Sequence, residues 1–247
     1  MKIGAQLYTV RDYAKDLDAL SETLKKVADI GYEYVQISGT CEYDGDWLKK
    51  ELDKYGLKAP LTHYSPDKIV TQTQETIAQH KKFDCDYKGI GWYELLEKGS
   101  EGFIETFMPA AKEIKESGLA LTYHNHDFEF AKGSSGKIFF DEIADAFDAS
   151  LLKFTLDTFW VQAGGADPIE WIKKLQGRTP CVHFKDMSYG RKMAAIGEGN
   201  MNFDGIIKTC IDCGVEYAFV EQDDCNGEDP FACLARSYEF LKSRGLK

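Results

Sequence analysis

Four of the five histidines in this 247-residue chain, His63, His124, His126 and His183, stand at or just beyond the ends of short apolar, β-branched runs. Other polar groups occupy matching places. Gln6 and Gln36 lie on the first two runs, Tyr93-Glu94 follows the fourth, Asp157 the sixth, Lys185-Asp186 the seventh and Glu221 the eighth. A divalent cation needs several oxygen or nitrogen donors converging on one point. His124, Asp157, His183 and Glu221 are chelating types spaced 33, 26 and 38 residues apart, so only a fold that gathers distant segments could bring them together. The chemistry such a set supports beside a carbonyl is proton abstraction, with the cation stabilising the enediolate as charge develops. Glu221 is the candidate base, and His63, Glu129 and Lys185 are candidate acids. Returning the proton to the other face is epimerisation, to the neighbouring carbon isomerisation, and losing a β-hydroxyl dehydration; the sequence does not choose among them. For each residue the plain alternative is a hydrogen-bonded polar group plugging the end of a sheet.

The elements that must position these residues alternate from one end of the chain to the other. Candidate strands are Ile3–Tyr8, Tyr34–Ser38, Lys58–Thr62, Tyr87–Ile90, Leu119–Tyr123, Leu152–Leu156, Pro180–Phe184 and Glu216–Val220, separated by stretches with apolar residues at helical spacing. Gly31, Gly56, Gly118 and Gly214 fall just before the next strand, as left-handed helix caps do. Asp167-Pro168 and Asp229-Pro230 read as helix starts, an N-cap acid before Pro at the first helical position. Eight such units with right-handed crossovers predict a single (β/α)8 TIM barrel of eight parallel strands over residues 1–247, whose chemistry sits at the carboxyl ends of the strands. A doubly wound open sheet is the competitor, weakened because Tyr8-Thr9-Val10-Arg11 stands where a G-x-G-x-x-G would follow the first strand. The stretch Lys185–Asn202 is long for a connection and lacks periodicity. It reads as a functional loop.

Composition agrees. The length matches the roughly 250 residues of such a barrel, and 43% hydrophobic residues with 6 Pro exclude a disordered or low-complexity chain. A net charge of −11 opposes nucleic acid and anionic membranes as partners. No run approaches a membrane span, and Met1-Lys2 leads straight into Ile3–Tyr8 without a signal-peptide pattern, which makes a cytoplasmic location the expectation. Seven Cys without paired spacing suit reduced thiols, and Cys210-Ile-Asp-Cys213 reads as the end of an amphipathic helix.

The motifs Thr122-Tyr-His-Asn-His-Asp-Phe-Glu-Phe130, Leu156-Asp-Thr-Phe-Trp160 with Gly164-Gly-Ala-Asp-Pro168, Val182-His-Phe-Lys-Asp186, Gly197-Glu-Gly199 and Val220-Glu-Gln-Asp223 resemble the xylose isomerase-like barrel superfamily. The likeness is to its sugar phosphate isomerase/epimerase branch, which includes inosose dehydratases and tagatose epimerases, and it covers essentially the whole chain. It implies a metal-dependent sugar or sugar phosphate isomerase/epimerase, with a metal held at His124, Asp157, His183 and Glu221. Most relatives carry Glu where this chain has His124, which removes a two-carboxylate proton shuttle but keeps a ligand for Mn, Zn, Fe or Co in preference to Mg. Around that centre, Gln6, Gln36, His126, Trp160, Arg191 and Glu198 are the candidate substrate contacts, Trp160 as a stacking wall and Arg191 as a partner for a phosphate or carboxylate. The resemblance also implies a small sugar substrate and a homo-oligomer. Competing readings are a metal-dependent lyase or dehydratase on keto-sugars, inososes or keto-glycosides, a binding module without catalysis, and a zinc-cluster DNA-repair endonuclease. The net charge opposes the last.

Overall fold

The computed structural model describes residues 1–247. Eight strands are present where the β-branched runs predict them: β1 (Lys2–Gln6), β2 (Tyr34–Ile37), β3 (Lys58–Tyr64), β4 (Tyr87–Ile90), β5 (Ala120–His124), β6 (Leu152–Asp157), β7 (Cys181–Phe184) and, after a short ribbon described below, β10 (Tyr217–Val220). Each pairs in parallel with its neighbours, and β10 pairs with both β7 and β1, so the sheet closes as a barrel. The intervening helices are α1 (Leu17–Ile30), α2 (Gly45–Tyr55), α3 (Pro66–Thr71), α4 (Thr73–Lys82), α5 (Leu95–Glu116), α6 (Phe139–Ala146), α7 (Thr158–Ala163), α8 (Pro168–Lys174), α9 (Phe203–Asp212) and α10 (Pro230–Ser243).

Local sequence sets the boundaries. Gly31, Gly56, Gly118 and Gly214 all have positive φ, the left-handed conformation that lets a helix end turn into the next strand without a Cβ penalty. Asp167 and Asp229 accept hydrogen bonds from the Ile169 and Phe231 backbone N–H groups at 2.8 and 3.2 Å, capping α8 and α10. The first strand stops earlier than its apolar run because the Gln6 side chain turns back to accept the Tyr8 N–H at 2.9 Å, starting a 3-10 turn over Leu7–Tyr13. The third runs further, to Tyr64, because His63 and Tyr64 find partners in Gly89 and Ile90.

Alternation along the strands divides the interior into layers. Tyr34, Leu61, Cys181, Tyr217 and Phe219 fill the amino-terminal end, with Tyr34 and Tyr217 edge to face at 5.3 Å. Thr122 and Thr155, bonded at 3.3 Å, lie above them. The top layer is polar: Gln6, Gln36, His124, Asp157 and His183 are all buried there. The other side of each strand meets the helices in one large apolar core, exemplified by Tyr123 against Phe103 and by Phe140 stacked on Trp171. His80, which the strand-end pattern sets apart, is buried in this outer layer, held by Thr62 Oγ1 at 2.8 Å and the Thr76 carbonyl at 2.6 Å.

The stretch Lys185–Asn202, which lacks periodicity in sequence, is partly ordered as strand. It contains a two-stranded antiparallel ribbon, β8 (Asp186–Ser188) with β9 (Lys192–Ala194). Asp186 ties it down, its carboxylate accepting the Met187, Gly197 and Gly199 N–H groups at 2.8, 2.9 and 3.0 Å. A side chain at position 199 would collide with that carboxylate, since a Cβ there would lie 2.3 Å from Asp186 Oδ1. No helix is long and apolar enough to cross a membrane.

Candidate active site

The carboxyl ends of the strands open into a cavity of ≈ 430 Å³ lined by His63, His124, His126, Lys185, Glu221 and Asp223, with Tyr8, Tyr64 and Trp92 on its wall. His124 and Asp157 are the last residues of β5 and β6, His183 lies opposite Asp157 in the β6–β7 register, and Glu221 follows β10 directly. One donor atom from each of these four lies within 4.8 Å of the others, and His63 forms an overlapping group with His124 and His183. Two ligands at about 2.1 Å from a common ion are about 3.4 Å apart in a tetrahedral arrangement and at most about 4.2 Å apart when opposite, so the set must draw in to enclose a cation.

Orientation and charge test that fit further. His183 Nε2 lies 2.7 Å from Gln36 Oε1, the partner that fixes the ring with Nδ1 turned into the site. His183 Nδ1 is 2.9 Å from Glu221 Oε2 and 3.7 Å from Asp157 Oδ2, yet neither contact has hydrogen-bond geometry. His183 Nδ1 and Asp157 Oδ2, 3.7 Å apart, are thus buried polar atoms without hydrogen-bond partners, and so is His124 Nδ1. Such orphans are costly unless something satisfies them. Asp157, Glu221 and Asp223 bring three carboxylates and Lys185 one ammonium. With His183 neutral, as a ligand must be, the surplus of two negative charges matches a divalent cation, and the mixed imidazole and carboxylate donor set suits a transition metal better than Mg.

Lys185 is the centre's own cation. Its ammonium lies 2.7 Å from Asp223 Oδ2, 3.1 Å from Glu221 Oε2 and 3.5 Å from Asp157 Oδ2, and 5.1 Å from the Trp160 ring centroid. Burial disfavours that charge, but the three carboxylates outweigh it and hold the Lys185 pKa above its ordinary value. The same balance lowers Glu221, where Lys185 and His183 oppose burial, and raises His183 to about 9 through Glu221 and Asp157. Asp223 is pushed up to about 6 by burial and by Glu221. His63 falls to about 3 and His126 to about 4, burial being the main cause of each, so both stand as neutral imidazoles at the cavity wall. The close approach of His63 to β4 requires glycine at position 91, where a Cβ would lie 2.8 Å from His63 Nδ1.

Several sequence candidates occupy other places. Glu129 is fully buried behind the cavity, accepting from the Tyr123 hydroxyl at 2.5 Å and the His126 N–H at 2.8 Å, so it shapes the turn that carries His126. Gln6 and Gln36 lie beneath the mouth, Gln6 Nε2 at 3.5 Å from His63 Nδ1 and Gln36 against His183; both steady imidazoles and neither lines the cavity. Trp160 stands behind Lys185 and His126, its ring 5.4 Å from the latter. The aromatic side chains on the cavity wall are instead Tyr8, Tyr64 and Trp92, the last 51% exposed. Arg191 pairs with Asp127 at 2.9 Å and Glu198 with Arg236 at 2.7 Å, both on the surface and off the cavity wall, because the ribbon carries them away from the mouth.

Sequence reasoning missed Asp223 and Asn125. Asn125 Oδ1 accepts the Asp157 N–H at 3.0 Å and locks the ends of β5 and β6 together. Both stand inside the motifs, one residue after His124 and two after Glu221, which is the only signal they give.

Over residues 24–241 the chain matches the family model described as xylose isomerase-like TIM barrel. It is 20% identical over 194 residues to the inosose dehydratase of Geobacillus kaustophilus (strain HTA426), a match covering 68% of this chain and 62% of that protein, less than two thirds of its length. Among solved structures it superposes on a sugar phosphate isomerase/epimerase from Parabacteroides distasonis with a TM-score of 0.85, at 22% identity, covering 98% of this chain and 93% of that one. The probable 3-DHS dehydratase AsbF from Bacillus anthracis gives 0.73 at 14% identity, with 99% and 100% covered. At these identities the structural likeness is one of fold. The family match spans most of the barrel, from α1 into α10, and with it the chain belongs to the xylose isomerase-like TIM barrel family.

Proposed function

We propose that this protein is a metal-dependent sugar isomerase or epimerase that removes a proton from the carbon beside a carbonyl. The observation that carries this reading is the convergence of His124, Asp157, His183 and Glu221 from four adjacent strand ends, with Asp157 Oδ2 and His183 Nδ1 buried and without hydrogen-bond partners. Those four residues would hold the cation, whose contribution is Lewis-acid polarisation of the carbonyl. Glu221 is kept ionised against burial by Lys185, the state a base needs. Lys185 presents a fixed positive charge to the oxygen on which negative charge gathers, in a site where burial makes that charge count. His63 and His126, neutral on the wall, offer ring N–H groups to substrate hydroxyls, while Glu129, spent on Tyr123 and His126, takes no part in proton transfer. The net charge of −11 supports a small sugar rather than a nucleic acid as substrate.

A second reading, elimination from a keto-sugar, is favoured by the dehydratase names among the similar proteins. It shares the first proton removal and differs in what leaves next. Incubation with a panel of ketoses and inososes in deuterated water, with and without Mn, Zn or Co, tests both. Metal-dependent deuterium uptake beside the carbonyl, abolished in Glu221→Gln, is the expected result. Products lacking the elements of water would select elimination, and no exchange with any metal would overturn both readings.

A further inference from the structure

The main cavity is bordered by a second, chemically opposite one. Trp92 lines both. The second cleft, ≈ 140 Å³, is walled by Trp92, Tyr93, Leu95, Leu96 and Phe128, whereas the catalytic cavity is lined mainly by polar and charged groups. Trp92 and Leu96 are 51% and 66% exposed there. The two clefts also share a continuous ring wall, since Phe128 stacks on the cavity residue His126 with centroids 5.2 Å apart and planes 9° from parallel. A cavity of roughly 150 Å³ lined by apolar side chains takes one benzene ring, so this cleft has the capacity of one aromatic ring. Its polar rim consists of Glu94 and Glu97, which oppose a phosphate or carboxylate.

We infer that the apolar cleft is a substituent subsite, and that the substrate is a sugar carrying an uncharged aromatic group or an apolar group of similar size, with its ring in the main cavity and the substituent between Trp92, Leu96 and Phe128. This rests on the proposed action on a sugar and specifies its class. A sugar spanning both clefts places its polar face among the hydroxyl-binding and charged groups and leaves only the appendage to the apolar walls. Burial of a ring there adds affinity in proportion to the apolar area removed from water, whereas an anionic appendage meets the two glutamates.

The test compares methyl and phenyl β-pyranosides of glucose, galactose and xylose, matched except for the substituent, by calorimetric titration of wild type, Leu96→Met and Leu96→Asp. Leu96 is exposed and off the main cavity, so neither change threatens the barrel. Phenyl over methyl preference of about tenfold in at least one sugar, kept in Leu96→Met and lost in Leu96→Asp with the methyl glycoside affinity unchanged, is expected. Equal affinities within every pair, a preference indifferent to Leu96→Asp, or binding of no probe would overturn the inference. So would a wild-type dimer in sedimentation that Leu96→Asp dissociates, for then a second copy of the chain covers the cleft. Deuterium exchange on free ketoses and direct metal titration read the proposed function separately, and neither depends on the cleft.

Discussion

Two lysines in this barrel are equally hidden from water and live in opposite surroundings. Lys185, at the carboxyl-terminal mouth, touches Glu221 and Asp223 and approaches Asp157. Lys88, on β4 facing α4, is 0% exposed, meets only the Thr76 hydroxyl and has no carboxylate within ion-pair distance. Burial works against the charged form of both. At Lys185 three carboxylates reverse the effect and the pKa rises; at Lys88 no carboxylate opposes it, and burial lowers the pKa to about 7. What separates a sustained charge from a suppressed one here is therefore neither residue type nor burial. It is whether the fold gathers compensating groups, and the strand ends do so while the barrel's outer layer does not.

The largest effect expected from breaking this contrast comes from Lys185→Met. Removing the ammonium leaves Asp157, Glu221 and Asp223 facing one another without a counter-charge, and stripping one partner from a buried ionic cluster costs about 3–5 kcal/mol. Thermal or urea unfolding at neutral pH should show that loss, and added Mn or Zn should recover more stability in the variant than in wild type. An undiminished melting temperature would mean that the carboxylates are not held against Lys185 as described. Next in size is Glu221→Gln, which removes a donor from the four-residue group. Loss of a group positioned behind a ligand costs about 10–100-fold in metal affinity, so loss of this donor should cost more than about 100-fold, read by calorimetric titration with Mn or by the visible spectrum of Co. Metal binding equal to wild type would remove Glu221 from the ligand set.

Gln36→Leu gives a smaller effect and a sharper one. The Gln36 amide steadies His183 through a single contact, and its own Nε2 is buried without a partner. Replacing it with an apolar group of similar volume should leave stability near wild type and weaken metal binding about 10–100-fold, since the ring is then free to turn. Retained affinity in a folded Gln36→Leu would show that His183 needs no such support.

Gln36 also marks the limit of what the sequence discloses. The eight strands were legible because β-branched runs, αL glycines and Asp-Pro caps are local signals, and the strand-end positions of His124, Asp157, His183 and Glu221 follow from them once the barrel closes. Which polar strand-end residue faces the cavity and which stands behind another is a matter of side-chain direction and of contacts across the barrel. Gln36 meets His183 across 147 residues of sequence, and Glu129 turns back on Tyr123 rather than forward. Asp186 was visible as a charged residue after a strand, but its bonds to Gly197 and Gly199, which turn an aperiodic stretch into a ribbon and carry Arg191 and Glu198 off the mouth, depend on a chain path no short-range pattern encodes. Lys88 gave no signal: a lysine on a strand reads as a solvent-facing residue until α4 is packed over it.

Lys88 supplies the effect whose sign is least intuitive. Its folded-state pKa of about 7 lies below the unfolded value of about 10.4. Between those two values the unfolded chain holds a proton that the folded protein has released, so protonation favours unfolding and stability rises with pH across the window. Lys88→Met keeps the length of the side chain, removes the amine and deletes that linkage. At pH 7 the variant should be more stable than wild type by a few kcal/mol, on the order of the separation between the two pKa values at about 1.4 kcal/mol per unit. The advantage should shrink as the pH is raised toward 10, where the unfolded lysine also begins to lose its proton, and should be largest and level below pH 7. Urea unfolding of both proteins from pH 6 to 10 measures the difference directly. A variant less stable than wild type, or a difference independent of pH, would show that the Thr76 hydroxyl and its surroundings accommodate the ammonium after all, and that the two buried lysines are less unlike than their neighbours make them.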